Sequence, residues 1–136
     1  MQHPAQAHHR DDGGIITGWL IKVTVVLGVA GLVLFDAVSI GSTAIGVSDT
    51  AGAAARDAAE AVEAGGDTRL AYPAAVTTAV EQNALNEVDP SDVRIGTDGS
   101  ATVTVARTAP TLVVARIPWI AGWAHRSATD TAAPVS

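Results

Sequence analysis

The sequence contains no cysteine and few aromatic residues. Without cysteine, no disulfide can stabilise the fold and no thiol chemistry is available. Aromatic residues make up 4% of the chain and three of the five are tryptophan, so there are few large side chains to build a core. We therefore expect modest intrinsic stability, to which a membrane or a partner contributes.

Basic residues are also scarce. Residues 37–136 contain six arginines, no lysine and eleven acidic residues, a net charge of −5. A nucleic-acid-binding protein needs a basic patch to neutralise phosphates, and none is present. The composition therefore argues against nucleic acid as a partner.

Motifs of catalysis or cofactor binding are absent as well. The chain has no phosphate-binding glycine loop, dinucleotide fingerprint, zinc-protease motif or nucleophile elbow. His8 and His9 are adjacent, but no further ligands follow at a metal-binding spacing. His125 and Asp130, with one of the many serines, form no recognisable triad. We predict no enzymatic activity, no cofactor and no metal site.

One long apolar segment dominates what is present. Residues 23–35, VTVVLGVAGLVLF, carry no charge, and IITGWLI precedes them across a single lysine. Residues 15–35 are 21 in number, enough to cross a bilayer as an α-helix. Their apolar side chains contribute about −5 to −6 kcal/mol on an insertion scale, against about +3 kcal/mol for a central lysine, which snorkelling reduces. We predict a membrane anchor marked by Lys22, Val23, Leu27, Leu32, Phe35 and Asp36.

The flanking charges predict the orientation of the anchor. Arg10 and Lys22 lie towards its N-terminus, and residues 23–55 contain no lysine or arginine, so the N-terminus is expected in the cytoplasm and the remainder outside. The alternative is a cleavable signal peptide, with AVS at 37–39 or STA at 42–44 as cleavage sites. The long stretch before the apolar segment, and the length of that segment, favour a retained anchor.

Asp36 is the titratable residue at the end of the apolar segment. Such an acid is either solvated at the membrane surface or paired with a cation on a neighbouring helix. Lys22 of a helix shifted by about 21 Å along its axis would supply that cation.

The rest of the chain predicts a small α+β domain. Residues 1–14 are expected to be a disordered cytoplasmic tail, 15–47 the anchor helix and its extension, 48–132 the extracytoplasmic domain and 133–136 a tail. The Ala-rich stretch before Gly65 and Gly66 extends the helix over about 15–64. A second helix of about 14 residues begins at Pro73, with Val76 and Val80 on its apolar face. Asp98-Gly99 predicts a hairpin between VRI and ATVTVARTA, and residues 124–132 a last edge strand.

Two clusters are candidate contact surfaces. A stripe of small residues lets another backbone approach closely, either the domain's own sheet or a neighbouring subunit; it consists of Ala51, Ala54, Ala55 and Ala58. Residues 111–123, TLVVARIPWIAGW, form either part of the core or an interfacial loop with its tryptophans at headgroup depth. We expect Trp119 and Trp123 to face lipid headgroups or a partner subunit.

The order of these parts resembles the TadE/TadG family of Flp (tight adherence) pilus systems. The resemblance is carried by the apolar helix after Gly14, AARDAA at 54–59, the alternating strand at 102–106, the RTAPTL bridge and the closing small-residue strand. It implies a type IV pilin-like fold, with a long N-terminal helix half in the membrane and packed on a small antiparallel sheet. The implied role is structural: a membrane-anchored accessory component of a pilus or secretion assembly. Its partners would be the bilayer and other assembly proteins or further copies of itself.

The chain departs from the pilin pattern at one position. Prepilin-type processing after Gly14 would leave Ile15 first and Trp19 fifth, where the family pattern has glutamate. A retained, uncleaved accessory protein therefore fits the resemblance better than a major pilin. The alternative function is a secreted, non-catalytic binding module released by signal peptidase.

Overall fold

The computed structural model describes residues 5–134, with side chains from residue 14 onward. Two helices and three strands follow in the order α1 (Ala5–Gly65), α2 (Ala71–Gln82), β1 (Val93–Ile95), β2 (Ala101–Thr108) and β3 (His125–Ala132). Short 3-10 turns lie between several of them. The long helix, the second helix and the antiparallel sheet are compatible with the predicted α+β class.

Helix α1 is continuous for 61 residues, a length of about 90 Å. It begins at Ala5, ten residues before the predicted start, because the stretch from Ala5 to the apolar segment contains no proline and each added residue gains a hydrogen bond. Residues 5–14, expected to form a disordered tail, are therefore helical, and residues 1–4 lie outside the described part. At the other end Gly66 adopts a φ of 67° and donates its N–H to the Val62 carbonyl at 2.8 Å, which terminates the helix where the sequence predicted.

The two halves of α1 differ in what surrounds them. Large apolar side chains on every side of its N-terminal half are exposed, among them Ile15, Trp19, Leu27, Leu34 and Phe35. Within residues 14–65 this helix is long and apolar enough to cross a membrane. From Asp36 onward, one face of the helix is buried by the rest of the domain.

The core of the domain is built from alanine and valine. Ala51, Ala54, Ala55 and Ala58 are fully buried, and α1 packs against α2, β2 and β3. The small-residue stripe thus contacts the domain's own elements, and the alternative that it meets a neighbouring subunit is wrong. A second correction concerns α2, which buries alanines (Ala71, Ala75 and Ala79) and leaves Val80 46% exposed, because two helices approach closely only where both present small side chains.

The sheet has the order β1-β2-β3, with both pairs antiparallel. Its central strand buries Ala101, Val103 and Val105, as the alternation predicts, and β3 is an edge strand, also as predicted. Gly99 has the expected positive φ, 84°, but no residue other than glycine does among those described. The turn is therefore not a two-residue primed turn; instead the Gly99 N–H donates to the Gly96 carbonyl at 3.0 Å in a three-residue loop.

Replacing Ala55 with leucine tests the close packing of α1. Because Ala55 is fully buried where helix and sheet meet, the added atoms force the elements apart, and we expect a loss of about 1–3 kcal/mol in the free energy of unfolding. The matched control is Ala64→Leu, at an exposed position of the same helix. Denaturant unfolding in detergent measures both, and equal stability of the two variants would contradict the packing described.

Candidate functional site

Residues 110–124, hereafter the Trp loop, connect β2 to β3 and contain the second apolar cluster. The loop is closed at its base by a hydrogen bond from the Ala109 N–H to the Ala124 carbonyl at 2.7 Å. Two 3-10 turns, Val114–Arg116 and Ala121–Ala124, satisfy much of its backbone internally. Its length and closed ends are those of an Ω-loop, a compact surface element with a defined conformation.

Asp36 of α1 holds the start of this loop. Its carboxylate accepts hydrogen bonds from the N–H groups of Leu112 at 2.6 Å, Val113 at 2.8 Å and Val114 at 2.7 Å. One turn further along α1, the Ser39 hydroxyl donates to the Pro110 carbonyl at 2.6 Å. The loop is thereby attached to the first turn of α1 beyond the apolar segment 15–35.

The Asp36 carboxylate is 1% exposed and is among the largest fully buried side chains, with Val47, Val103 and Val105. Burial by itself raises the pKa of Asp36, but the N–H groups of Leu112, Val114 and Val113 together outweigh it and hold the pKa below the ordinary value of 3.8. A buried carboxylate is tolerated only when its lone pairs are satisfied, which these three donors achieve.

The sequence-based interpretation of Asp36 is therefore wrong in both of its alternatives. The side chain is neither solvated nor available to Lys22 of a neighbouring helix, because backbone donors from the domain occupy both of its oxygens. Sequence reasoning missed this role since the donors are 76–78 residues away and are backbone groups, which carry no residue signature. The remaining signal was an acid directly after a long apolar run.

Side chains of the Trp loop divide into two sets. Val114 and Ile120 turn inward, with exposed fractions of 8% and 9%. Trp119 and Trp123 turn outward and are 82% and 58% exposed, with Leu112 beside Asp36 at 47%. The prediction that the two tryptophans are not wholly buried is confirmed. Their contact with lipid or with a partner stays a prediction.

These outward side chains lie at one end of the domain. Trp119 is five residues from Val114, which contacts Asp36, so its Cα lies within about 18 Å of that contact. Asp36 in turn directly follows Phe35, the last residue of the apolar segment. The structure thus brings the exposed tryptophans of the loop near the end of the exposed apolar half of α1.

The weakest catalytic candidate of the sequence is not assembled. His125 and Asp130 are both in β3 but five residues apart, which puts them on opposite faces of the strand. His125 lies 3.4 Å from the Thr108 hydroxyl, whereas Asp130 faces Gly52 of α1. In the part of the chain whose side chains are described, no group of three or more metal-ligating residues occurs.

Comparison of the chain with protein-family models, with characterised proteins and with solved structures finds no match. The resemblance to the TadE/TadG family therefore rests on the residues quoted above and stays a hypothesis.

Replacing Asp36 with asparagine tests its hold on the Trp loop. Asparagine keeps the size, but it loses the charge and directs an NH₂ group at N–H donors, so three strong hydrogen bonds cannot all form. We expect faster hydrogen exchange at the amides of Leu112, Val113 and Val114, while the amides of β2 keep their protection. The matched control is Asp49→Asn, an exposed acid of the same helix. Unchanged exchange at the three amides would contradict the anchoring role.

The same contact predicts a dependence on acid. Because the pKa of Asp36 is lower in the folded chain than in the unfolded chain, its contribution to stability is complete above the unfolded value and is lost as the pH falls through the folded value. Acid destabilisation below about pH 4 should therefore be weaker in Asp36→Asn than in the wild type. Identical acid profiles would show that the carboxylate does not contribute.

Proposed function

We propose that the protein is a membrane-anchored structural or interaction protein, a pilin-like accessory component of a pilus or secretion assembly. Residues 15–35 cross the bilayer with the N-terminus in the cytoplasm, and the domain that begins at Asp36 lies outside. In this proposal the chain carries no catalytic role.

The observation that carries the proposal is the division of one continuous helix into two environments. A helix with exposed leucine, isoleucine and valine on every side needs an apolar surrounding, and a domain of this size has no surface left to supply it. The second half of the same helix is the core of a domain with an antiparallel sheet. This arrangement supports the lollipop shape that the resemblance implies.

The Trp loop supports a contact between the domain and the membrane surface. Tryptophan is enriched at headgroup depth because its ring is apolar while its N–H seeks a polar partner. Trp119 and Trp123 are exposed on a closed loop attached at Asp36, one residue beyond the proposed span. Since the anchor already holds the domain at the bilayer, a second contact there has a small entropic cost.

The contacts of α1 argue against the alternative of a secreted module. Cleavage after residue 39 or after residue 44 would remove Asp36 and Ser39, the two side chains that hold the Trp loop. Three N–H groups would lose their acceptors, and Val114 would lose the helix beside it. A retained helix is therefore favoured over a cleaved one.

Fractionation with intact-mass measurement tests the anchor. We expect the full-length chain to remain in the membrane pellet after a carbonate wash, because a spanning helix is not extracted by high pH. A soluble species that starts between residues 37 and 45 would instead support the signal peptide. A species that starts at Ile15 would show prepilin-type processing and would contradict the uncleaved accessory role.

Tryptophan fluorescence tests the interface contact. Trp19 lies in the proposed span, so Trp19→Phe leaves Trp119 and Trp123 as the emitting residues. On reconstitution into vesicles that contain lipids with a headgroup-attached quencher, we expect their emission to be quenched, since both rings are exposed at the end of the domain near the span.

A tryptophan at the far end of the domain provides the control. Leu70 is 41% exposed and packs beside Gly65, which is 29 residues from Asp36 and about 44 Å away along the helix. Leu70→Trp in a background with all three native tryptophans replaced by phenylalanine should be unquenched. Equal quenching at the two ends, or none at Trp119 and Trp123, would overturn the interface contact.

A further inference from the structure

Two arginines lie side by side on the helix-facing side of the sheet. Arg107 of β2 and Arg126 of β3 are directly paired in the strand register. Arg107 follows Val103 and Val105 at the period of the strand, so both side chains point toward α1. Directly opposed residues have Cβ atoms about 5 Å apart, and like charges at that spacing are destabilising.

Neither guanidinium has an acidic partner. Among the described side chains the ion pair within 4 Å is Arg69 with Asp67, at the other end of the domain. The Nε atoms of Arg107 and Arg126 are buried and without a hydrogen-bond partner. The Arg107 Nη2 donates a long hydrogen bond of 3.5 Å to the Thr43 carbonyl. Two buried, like-charged groups with unused donors form a site that lacks its anion.

A groove of about 280 Å³ opens beside Arg107. It is lined by polar groups from three parts of the chain: Ser39, Ser42 and Thr43 of α1, Asn83 after α2, and Arg107 with Pro110. Asn83 uses its carbonyl oxygen to accept the Leu85 N–H at 2.8 Å, which leaves its NH₂ group to donate into the groove. A water molecule occupies about 30 Å³, so the groove has room for a tetrahedral anion.

The backbone of α1 is shaped for this arrangement. A Cβ on Gly46 would overlap Arg107 Nη2, so glycine there lets the guanidinium lie against the helix. Guanidinium, hydroxyl and amide groups together are the donors that bind phosphate, and arginine binds it through two parallel hydrogen bonds. We propose that this groove, with Arg107 as its principal ligand and Arg126 as added positive charge, binds a phosphate group.

The position of the groove indicates two sources for that phosphate. Ser39 and Thr43 lie four and eight residues beyond Phe35, about 6 and 12 Å along the helix. The headgroup layer adds about 5–8 Å on each side of the hydrocarbon core. The phosphate is therefore supplied by a lipid headgroup at the membrane surface or by free phosphate in solution.

Thermal unfolding of the full chain in a phosphate-free sugar detergent tests the site. Potassium phosphate is titrated against potassium chloride at matched ionic strength, and a short-chain phosphatidylglycerol against a short-chain glycolipid without phosphate. We expect a saturable rise in Tm of about 4 °C or more with a phosphate-bearing ligand. A response to lipid alone assigns the headgroup, and a response to both shows that free phosphate suffices.

Three variants make the result specific. Arg107→Gln should lose the response, whereas Arg94→Gln, at an exposed position of β1, should keep it. Ser42→Glu places a carboxylate on an exposed helical position that lines the groove, and it should raise the Tm without ligand while abolishing the response. This variant decides the question even if Arg107→Gln does not fold.

No response to either ligand, or an equal response in Arg107→Gln or Ser42→Glu, overturns the site. These measurements are made in detergent, so they are independent of the proposed membrane function. Loss of membrane anchoring and loss of phosphate binding are therefore distinguishable.

Discussion

One face of α1 supports the whole domain. Helix α2, strand β2 and strand β3 all pack against it, and the residues at these contacts are alanine, glycine and valine. Small side chains bury little apolar surface each, so the elements must approach closely to exclude water. Asp130 lies where a Cβ on Gly52 would come within 2.8 Å of its Oδ2, which shows how near β3 comes to the helix. The domain therefore depends on a smooth, continuous α1.

Asp36 joins this packed half of the helix to the apolar half. A charged group at such a junction would ordinarily be solvated, but here it is buried beneath the Trp loop and satisfied by three backbone donors. Charge-assisted hydrogen bonds of this kind are directional and strong, so they fix the loop relative to the helix axis as well as attaching it. The orientation of Trp119 and Trp123 thus follows from a polar contact at the base of their loop.

Charge in the domain is distributed in an uneven way. The net charge outside the anchor is negative, yet two arginines are placed together against α1 without an acid to neutralise them. Elsewhere polar side chains are used economically: Thr50 bonds Gln82 at 2.8 Å, and Thr102 and Thr104 each bond a threonine of β3. Against that background the unpartnered Arg107 and Arg126 stand out as groups oriented toward something outside the chain.

Local patterns in the sequence determined much of the fold. Apolar length and alanine content predicted the long helix, Gly65 and Gly66 its end, and period-two alternation the buried side of β2. These features depend on interactions between near neighbours, namely helix propensity, chain stiffness and the direction of successive side chains. Exposure of Trp119 and Trp123 was also predictable, because Pro118 prevents a regular element that would bury them together.

Contacts between distant parts of the chain were decided by the tertiary structure alone. The alanine stripe was compatible with two partners until α2 and the sheet covered it, and α2 turned its alanines inward although its valines are more apolar. Asp36 found its donors 76–78 residues away, and Arg107 met Arg126 through strand register. Backbone donors look the same at every residue, and register depends on the packing of the whole sheet. For this reason no local pattern announced the candidate sites that these residues form.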